Sequence, residues 1–268
     1  MIARSVELVL GPWRASWRAG VGWGIAFVLL VVSTVAFWPA FQGSSGISQA
    51  IDQLPAGMLQ AFGLQGFGSP AGYLRGGLYE LIVPFMFTAA GVMFANGAIA
   101  AEEEAGRLEL FLAQPVSRSA FMAGRTVAIG AWLVVLTAIV LASQLASDAA
   151  FGLRIDQSRV VATIVLCALL GALDAGLCIA IAGARARPSL VLSVGLGMAF
   201  ASYLVAVLFP LNNVLGPWRH VSPWDWALGG DPLVNGAEPW RYVALAGLAV
   251  ALTILGVAAF GRRDIRSA

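Results

Sequence analysis

Six stretches of this 268-residue chain run for about twenty residues with almost no charge, the length that crosses a hydrocarbon core. They fall at about 19–41, 81–101, 119–147, 160–184, 188–211 and 241–261. The third is free of charge only from Thr126 onward, and the fourth is interrupted only by Asp174. Backbone in lipid must satisfy its own N–H and C=O groups, so such runs are expected to be helices. The composition agrees: 59% hydrophobic and 11% charged, where soluble domains carry roughly 25% charged residues. The expected class is an all-α integral membrane protein with six transmembrane helices. The first run is read as retained, because bulky Trp38 stands where a signal-peptide cleavage site needs a small residue.

Arginine sets the orientation. With the N-terminus cytoplasmic, Arg4, Arg14, Arg18, Arg107, Arg118, Arg125, Arg185, Arg187, Arg262, Arg263 and Arg266 fall inside. Arg75, Arg154, Arg159, Arg219 and Arg241 fall outside, a split of eleven to five that predicts both termini in the cytoplasm. Trp38, Trp218, Trp224, Trp226 and Trp240 are expected at the outer interface, Trp13 and Trp17 at the inner one.

All 16 basic residues are arginine. Without lysine the chain has no P-loop G-x-x-x-x-G-K-[ST], so it cannot bind ATP in that way. The net charge of +2 does not point to nucleic acid, and one histidine, His220, cannot assemble a His/Cys zinc site. Cys167 and Cys178 lie about 16 Å apart along one helix, beyond disulfide reach, and read as small buried hydrophobes.

Residues 1–18 place Ile2, Val6, Val9, Leu10, Trp13 and Trp17 at helical spacing, predicting an amphipathic interface helix broken or bent near Gly11–Pro12. Two outer loops, about 42–80 and 212–240, are longer than simple connections. The first contains one or two short amphipathic helices in "ISQAIDQLPAGMLQAFGL". The second, rich in Trp, Pro and Gly, is either an aromatic interfacial cap or a substrate contact.

Between the second and third spans stands "AEEEAGRLELFLAQPVSR", Ala101 to Arg118. Glu102, Glu103 and Glu104 suit the positive end of a short helix, and Leu108, Phe111 and Leu112 give it an apolar stripe. Glu103 and Arg107 stand at pairing distance, Pro115 stops the helix, and Ser117 is placed to cap the next one. An acidic cytoplasmic loop suits a protein partner better than a lipid surface.

The order Glu102, Glu104, Gly106, Leu108, Glu109, Leu112, Pro115, Val116, Ser117, Arg118 resembles the loop of ABC-2 type transporter permeases. "LPAGMLQAFGL", "GSPAGYLRGGLYELIVP", "VSPWDWALGGDPLVNG" and "FGRRDI" are similar to the outer segments and ending of the antibiotic- and drug-exporter branch, in the same order. Glu103 stands where a basic residue is common, and Arg107 where Thr is common. The resemblance implies a single transmembrane domain over 1–268 that pairs with a second copy or a paralogue in a bacterial cell membrane. It implies a separate P-loop ATPase carrying ATP and Mg²⁺, docked on a coupling helix at 101–118, with no cofactor in this chain. The expected cargo is hydrophobic or amphiphilic.

Within the spans, Asp174 and Asn96 are the polar residues that stand out. An intramembrane Asp must face the bundle interior or a water-filled cavity. It reads either as a structural hydrogen bond or as part of a cation or proton path. Gly195, Gly197, Ala199 and Ala201 in the fifth span suggest close helix contacts, and the resemblance places spans one and five at a dimer interface. Pro84 is placed to kink span two. Two other function classes compete: an intramembrane enzyme, for which the spans offer no acid–base or metal constellation, and an assembly or receptor subunit that binds a partner through 101–118 without transport.

Overall fold

A computed structural model describes residues 2–42, 46, 51, 53–55, 58–59, 64–104, 117–185 and 187–262. Every regular element among the described residues is helical. Six helices are long and apolar enough to cross a membrane: Trp17–Gln42, Pro70–Glu104, Arg118–Phe151, Gln157–Ala184, Pro188–Leu211 and Pro239–Arg262, called here spans one to six. A separate N-terminal helix, Ile2–Ala15, precedes them.

Local chemistry sets the ends. Ser117 caps span three by accepting from the Ala120 N–H at 3.3 Å, and Gly152, with φ 70°, closes it in the left-handed region that glycine tolerates. Asp156 caps span four by accepting from the Ser158 N–H at 2.9 Å. The Ser158 hydroxyl bond and that N–H hold the Asp156 carboxyl below its ordinary range.

Three boundaries differ from the sequence expectation. The N-terminal helix runs through Pro12, and the break comes at Ser16, whose hydroxyl donates to the Pro12 carbonyl at 2.9 Å and pulls the chain out of line. Span two starts at Pro70 instead of near 81, because Arg75 and Glu80 are accommodated inside the protein and need no solvent loop. Its interruption lies at Leu81 (φ −131°, ψ −58°), just before the helix Ile82–Ala95. Pro84 occupies that helix's first turn, where its missing N–H costs no hydrogen bond within the helix. Most of "ISQAIDQLPAGMLQAFGL" lies outside the described residues.

Span four is the hub, packing on spans two, three, five and six, while span three carries span one and the N-terminal helix. In spans two and four 61% of the most apolar window is buried, against 22% in spans five and six, so the former pair forms the centre. Glycine makes the closest approaches: a Cβ on Gly91 would sit 2.5 Å from the Gly171 carbonyl oxygen, and one on Gly183 would collide with Gly256.

Candidate functional site

At one end of the bundle the tail of span two, the head of span three and the N-terminal helix converge. Glu102, Glu103 and Glu104 form the turn Ala101–Glu104, which follows a π turn over Asn96–Ala100 without a break. The three acids stand in the first turn of that short helix, as the sequence places them, and residues 105–116 after it lie outside the described residues. The Ala101 N–H donates to the Asn96 carbonyl, so the chain stays helical into Glu104. Gly106, Arg107, Leu108, Phe111, Glu109, Leu112 and Pro115, and with them the Glu103–Arg107 pairing, lie outside the described residues. Arg118 opens span three.

Arg125 organises this joint. It is 4% exposed, donates to the Ala98 carbonyl, approaches Glu102 Oε2 to 3.9 Å and lies 4.3 Å over the Phe121 ring. Beside it opens a mostly apolar cavity of about 400 Å³ lined by Pro12, Phe94, Glu102, Arg125, Ile129 and Trp132, among others. Trp13 stacks on Trp132 at 4.0 Å and 7°, and Trp132 Nε1 donates to Ser16 Oγ at 2.8 Å. Trp13 therefore faces a protein ring where the sequence suggested an interfacial anchor. The arrangement ties the N-terminal helix, the end of span two and the start of span three to one another.

Deeper in the bundle, Asp174 is 3% exposed and accepts from Thr88 Oγ1 at 3.0 Å, a bond between spans four and two. Asn96 sits in the π turn, its Oδ1 buried without a hydrogen-bond partner among the described residues. A second polar chain joins spans two and three: Tyr79 Oη donates to Gln144 Oε1 at 2.8 Å, and Gln144 Nε2 to Asp148 Oδ1 at 2.9 Å.

At the opposite end a polar cavity of about 300 Å³ is bounded by Arg75, Glu80, Arg219, Trp224, Asp225 and Asp231, with apolar residues between them. Arg75 holds Asp231 at 2.6 Å and the Gln65 carbonyl at 2.7 Å. Asp225 receives His220 Nδ1 at 2.9 Å and stands 3.7 Å from Arg219 Nε. The surrounding segment is stapled to the bundle. Ser222 Oγ donates to the Ser202 carbonyl at 2.6 Å, and Arg241 donates to the Asp225 and Trp226 carbonyls at 2.9 Å each. Glu238 at its rim has its carboxyl held below the ordinary range by the Trp240 indole and then by Arg241. Trp38 and Trp224, expected at the interface, are each 1% exposed and belong to the core, whereas Trp218 (63%) and Trp240 (48%) are exposed.

Along span five the small residues separate. Gly195 faces its own subunit, where a Cβ would stand 2.6 Å from Cys178 Sγ and 2.9 Å from Val92, which removes it from the surface suggested for dimer contact. Gly197 and Ala201 face outward, beside exposed Val194 and Met198, while Ala199 is buried. Cys167 and Cys178 are free and buried.

The structure thus adds residues that sequence pattern does not single out. Arg125 shows there only as a charge at a span boundary, and Gln144 and Asp148 as a polar pair four residues apart in an apolar run. Arg75 and Asp231 lie 156 positions apart, a spacing that carries no local signal.

The family model described as "Multidrug efflux system permease Rv1217c, C-terminal domain" matches residues 12–261. Among curated proteins no sequence matches. The matched region takes in nearly the whole of the six spans, the Arg125 joint and the polar cavity at the opposite end, and the chain therefore belongs to this family of multidrug efflux permeases, as its resemblance to ABC-2 drug exporters implied.

Proposed function

We propose that this chain, over 1–268 as one transmembrane domain, is the membrane subunit of an ATP-driven exporter of hydrophobic or amphiphilic compounds in a bacterial cell membrane. Its termini face the cytoplasm. A separate P-loop ATPase, which supplies ATP and Mg²⁺, docks on the 101–118 segment.

The observation that supports this most is the Arg125 joint. It fastens the base of the acidic segment to span three and, through Trp132, to the N-terminal helix. A push from a docked ATPase thereby has a rigid route into the bundle. Reversing charge at Glu102, Glu104 and Glu109 together is expected to weaken ATPase co-purification or to uncouple hydrolysis from transport. Unchanged transport by the triple variant overturns the docking reading. Partner binding without substrate-stimulated hydrolysis would favour the non-transporting assembly subunit instead.

The dimer contact is assigned to spans one and five. On span five the exposed strip containing Gly197 and Ala201 offers small residues for close approach. Single cysteines at Gly197 and Ala201 should cross-link between copies in membranes, with low background because both native cysteines are buried. Cross-linking from Gly195 instead would overturn the assignment.

A further inference from the structure

Past span five the chain does not turn straight back into span six. It runs on as two 3₁₀ turns, Phe209–Leu211 and Gly216–Val221. Asn212 holds the bend between them, its Oδ1 accepting from the Val214 N–H at 2.8 Å and the Leu215 N–H at 3.3 Å. The Gly216 N–H donates to the Asn212 carbonyl at 2.8 Å and the Trp218 N–H to the Leu215 carbonyl at 2.9 Å, while Pro210 and Pro217 have no N–H to satisfy. Backbone that answers its own donors in this way tolerates a poorly hydrated place.

The two faces of this segment differ. Arg219 Nε stands 3.7 Å from Asp225 Oδ1, and His220 Nδ1 stands 2.9 Å from Asp225 Oδ2. The His220 carbonyl also accepts from Trp226 Nε1 at 2.6 Å, so the polar face is fastened to the helix Pro223–Leu228. Leu211, Val214, Leu215, Trp218 and Val221 recur at helical spacing, and all five are exposed, Val214 by 77% and Val221 by 64%. None of them lines the polar cavity, whereas Pro210 and Arg219 do. So large an apolar face, turned away from both the core and the cavity, calls for a covering other than water.

Two observations identify the covering. The helix of span five, Pro188–Leu208, has 21 residues. At about 1.5 Å per residue it is about 31 Å long, against a hydrocarbon core of about 30 Å, so Phe209 emerges where the headgroups begin. The same level is marked elsewhere around the bundle: Trp240 at the start of span six and Phe37 near the end of span one are also exposed. Indole rings favour this layer. A second copy of the chain would cover one side of the bundle, whereas exposed aromatic rings at the ends of three spans fit a lipid surface that surrounds it.

We infer that residues 209–221 form an in-plane anchor. Their apolar face lies in the headgroup layer of the leaflet at this end, while Arg219 and His220 on the other face hold Asp225 in the wall of the polar cavity. The inference is independent of the export reading.

The test uses the full chain in phosphatidylcholine nanodiscs without any ATPase. Single cysteines at Val214, Trp218 and Val221 carry nitroxide labels, and both native cysteines are buried. Relaxation by oxygen, which enters lipid, and by a water-soluble nickel chelate together report depth. The three labels should lie roughly 5–10 Å into the boundary between headgroups and acyl chains. They should be deeper than a label at Asn213 and shallower than one at exposed Val134, midway along span three. In the unaltered chain, phosphatidylcholine with a diazirine close to its glycerol should photolabel residues 211–221, read by mass spectrometry, which needs no variant to fold. Nickel accessibility equal to that at Asn213, a depth equal to that at Val134, or absence of photolabel overturns the proposal. Low accessibility to both reagents, with spin–spin broadening between neighbouring labels, would assign the face to a second copy and also overturn it.

Discussion

The guanidinium of Arg125, near the start of span three, donates to the carbonyl of Ala98, inside the π turn that ends the buried part of span two. A π turn departs from the regular ladder of an α-helix, and such turns gather at functional positions. Here the departure coincides with an arginine that also reaches Glu102 and covers Phe121.

Removing this side chain takes the donor from a part-buried carbonyl and loosens Glu102. Arg125→Ala is expected to lower stability by about 2 kcal/mol, the scale of a charged hydrogen bond. Arg125→Lys should recover less than half of that, since an ammonium lacks the planar fork that serves two acceptors and a ring at once. Chemical unfolding in detergent measures both. In the assembled transporter Arg125→Ala should also depress transport while ATPase co-purification is retained, a split that general unfolding would not produce.

Asp174 and Thr88 give a second pair to separate. Asn in place of Asp174 keeps an oxygen for the Thr88 hydroxyl, so Asp174→Asn should fold and transport normally if the residue serves as a link between spans four and two. Thr88→Val removes the donor at a cost of about 1 kcal/mol or more, because the carboxyl loses a partner in a dry environment. Asp174→Leu combined with Thr88→Val should cost less than the sum of the two single changes. Lost transport in a fully stable Asp174→Asn protein would place the carboxyl in an ion path instead.

The N-terminal helix is held by Trp132. Its indole hydrogen bond to Ser16 and its stacking on Trp13 predict a loss of about 1–2 kcal/mol for Trp132→Leu, and about 1 kcal/mol for Trp132→Phe, which keeps most of the stacking. Gly20 lies against the same indole, so a Cβ there would strike the ring. Gly20→Leu should therefore expose the N-terminal helix to limited proteolysis as effectively as Trp132→Leu does.

How much of this is readable from the sequence depends on the range of each interaction. The six spans are legible because lipid forces local hydrogen bonding on any long apolar run, and Ser117 is legible as a cap because capping is local. The start of span two is not. Arg75 and Glu80 look like loop residues until Asp231, far along the chain, arrives beside them. The direction of Gly195 is equally hidden, since span five is apolar on every face and its residue pattern does not say which face meets Val92 and Cys178. Trp38 and Trp224 follow the same logic: tryptophan suits both an interface and a core, and only their neighbours decide.

The pairing of spans four and six yields the most direct test of packing. Gly183 and Gly256 let the two backbones touch, and Gly176 lies so near Ala249 that an added Cβ would stand 2.7 Å from its carbonyl oxygen. Gly183→Val must push the helices apart and should cost about 1–3 kcal/mol, the range for overpacking. Gly247, also in span six, faces open space, and a Cβ added there would meet no heavy atom within 4 Å. Gly247→Ala should be neutral or should stabilise by up to about 1 kcal/mol, the helix-propensity gain over glycine. Thermal unfolding of the two variants side by side separates close approach from propensity. If both shift the midpoint in the same direction, glycine in these spans is acting through backbone flexibility, and the contact between spans four and six is not what selects it.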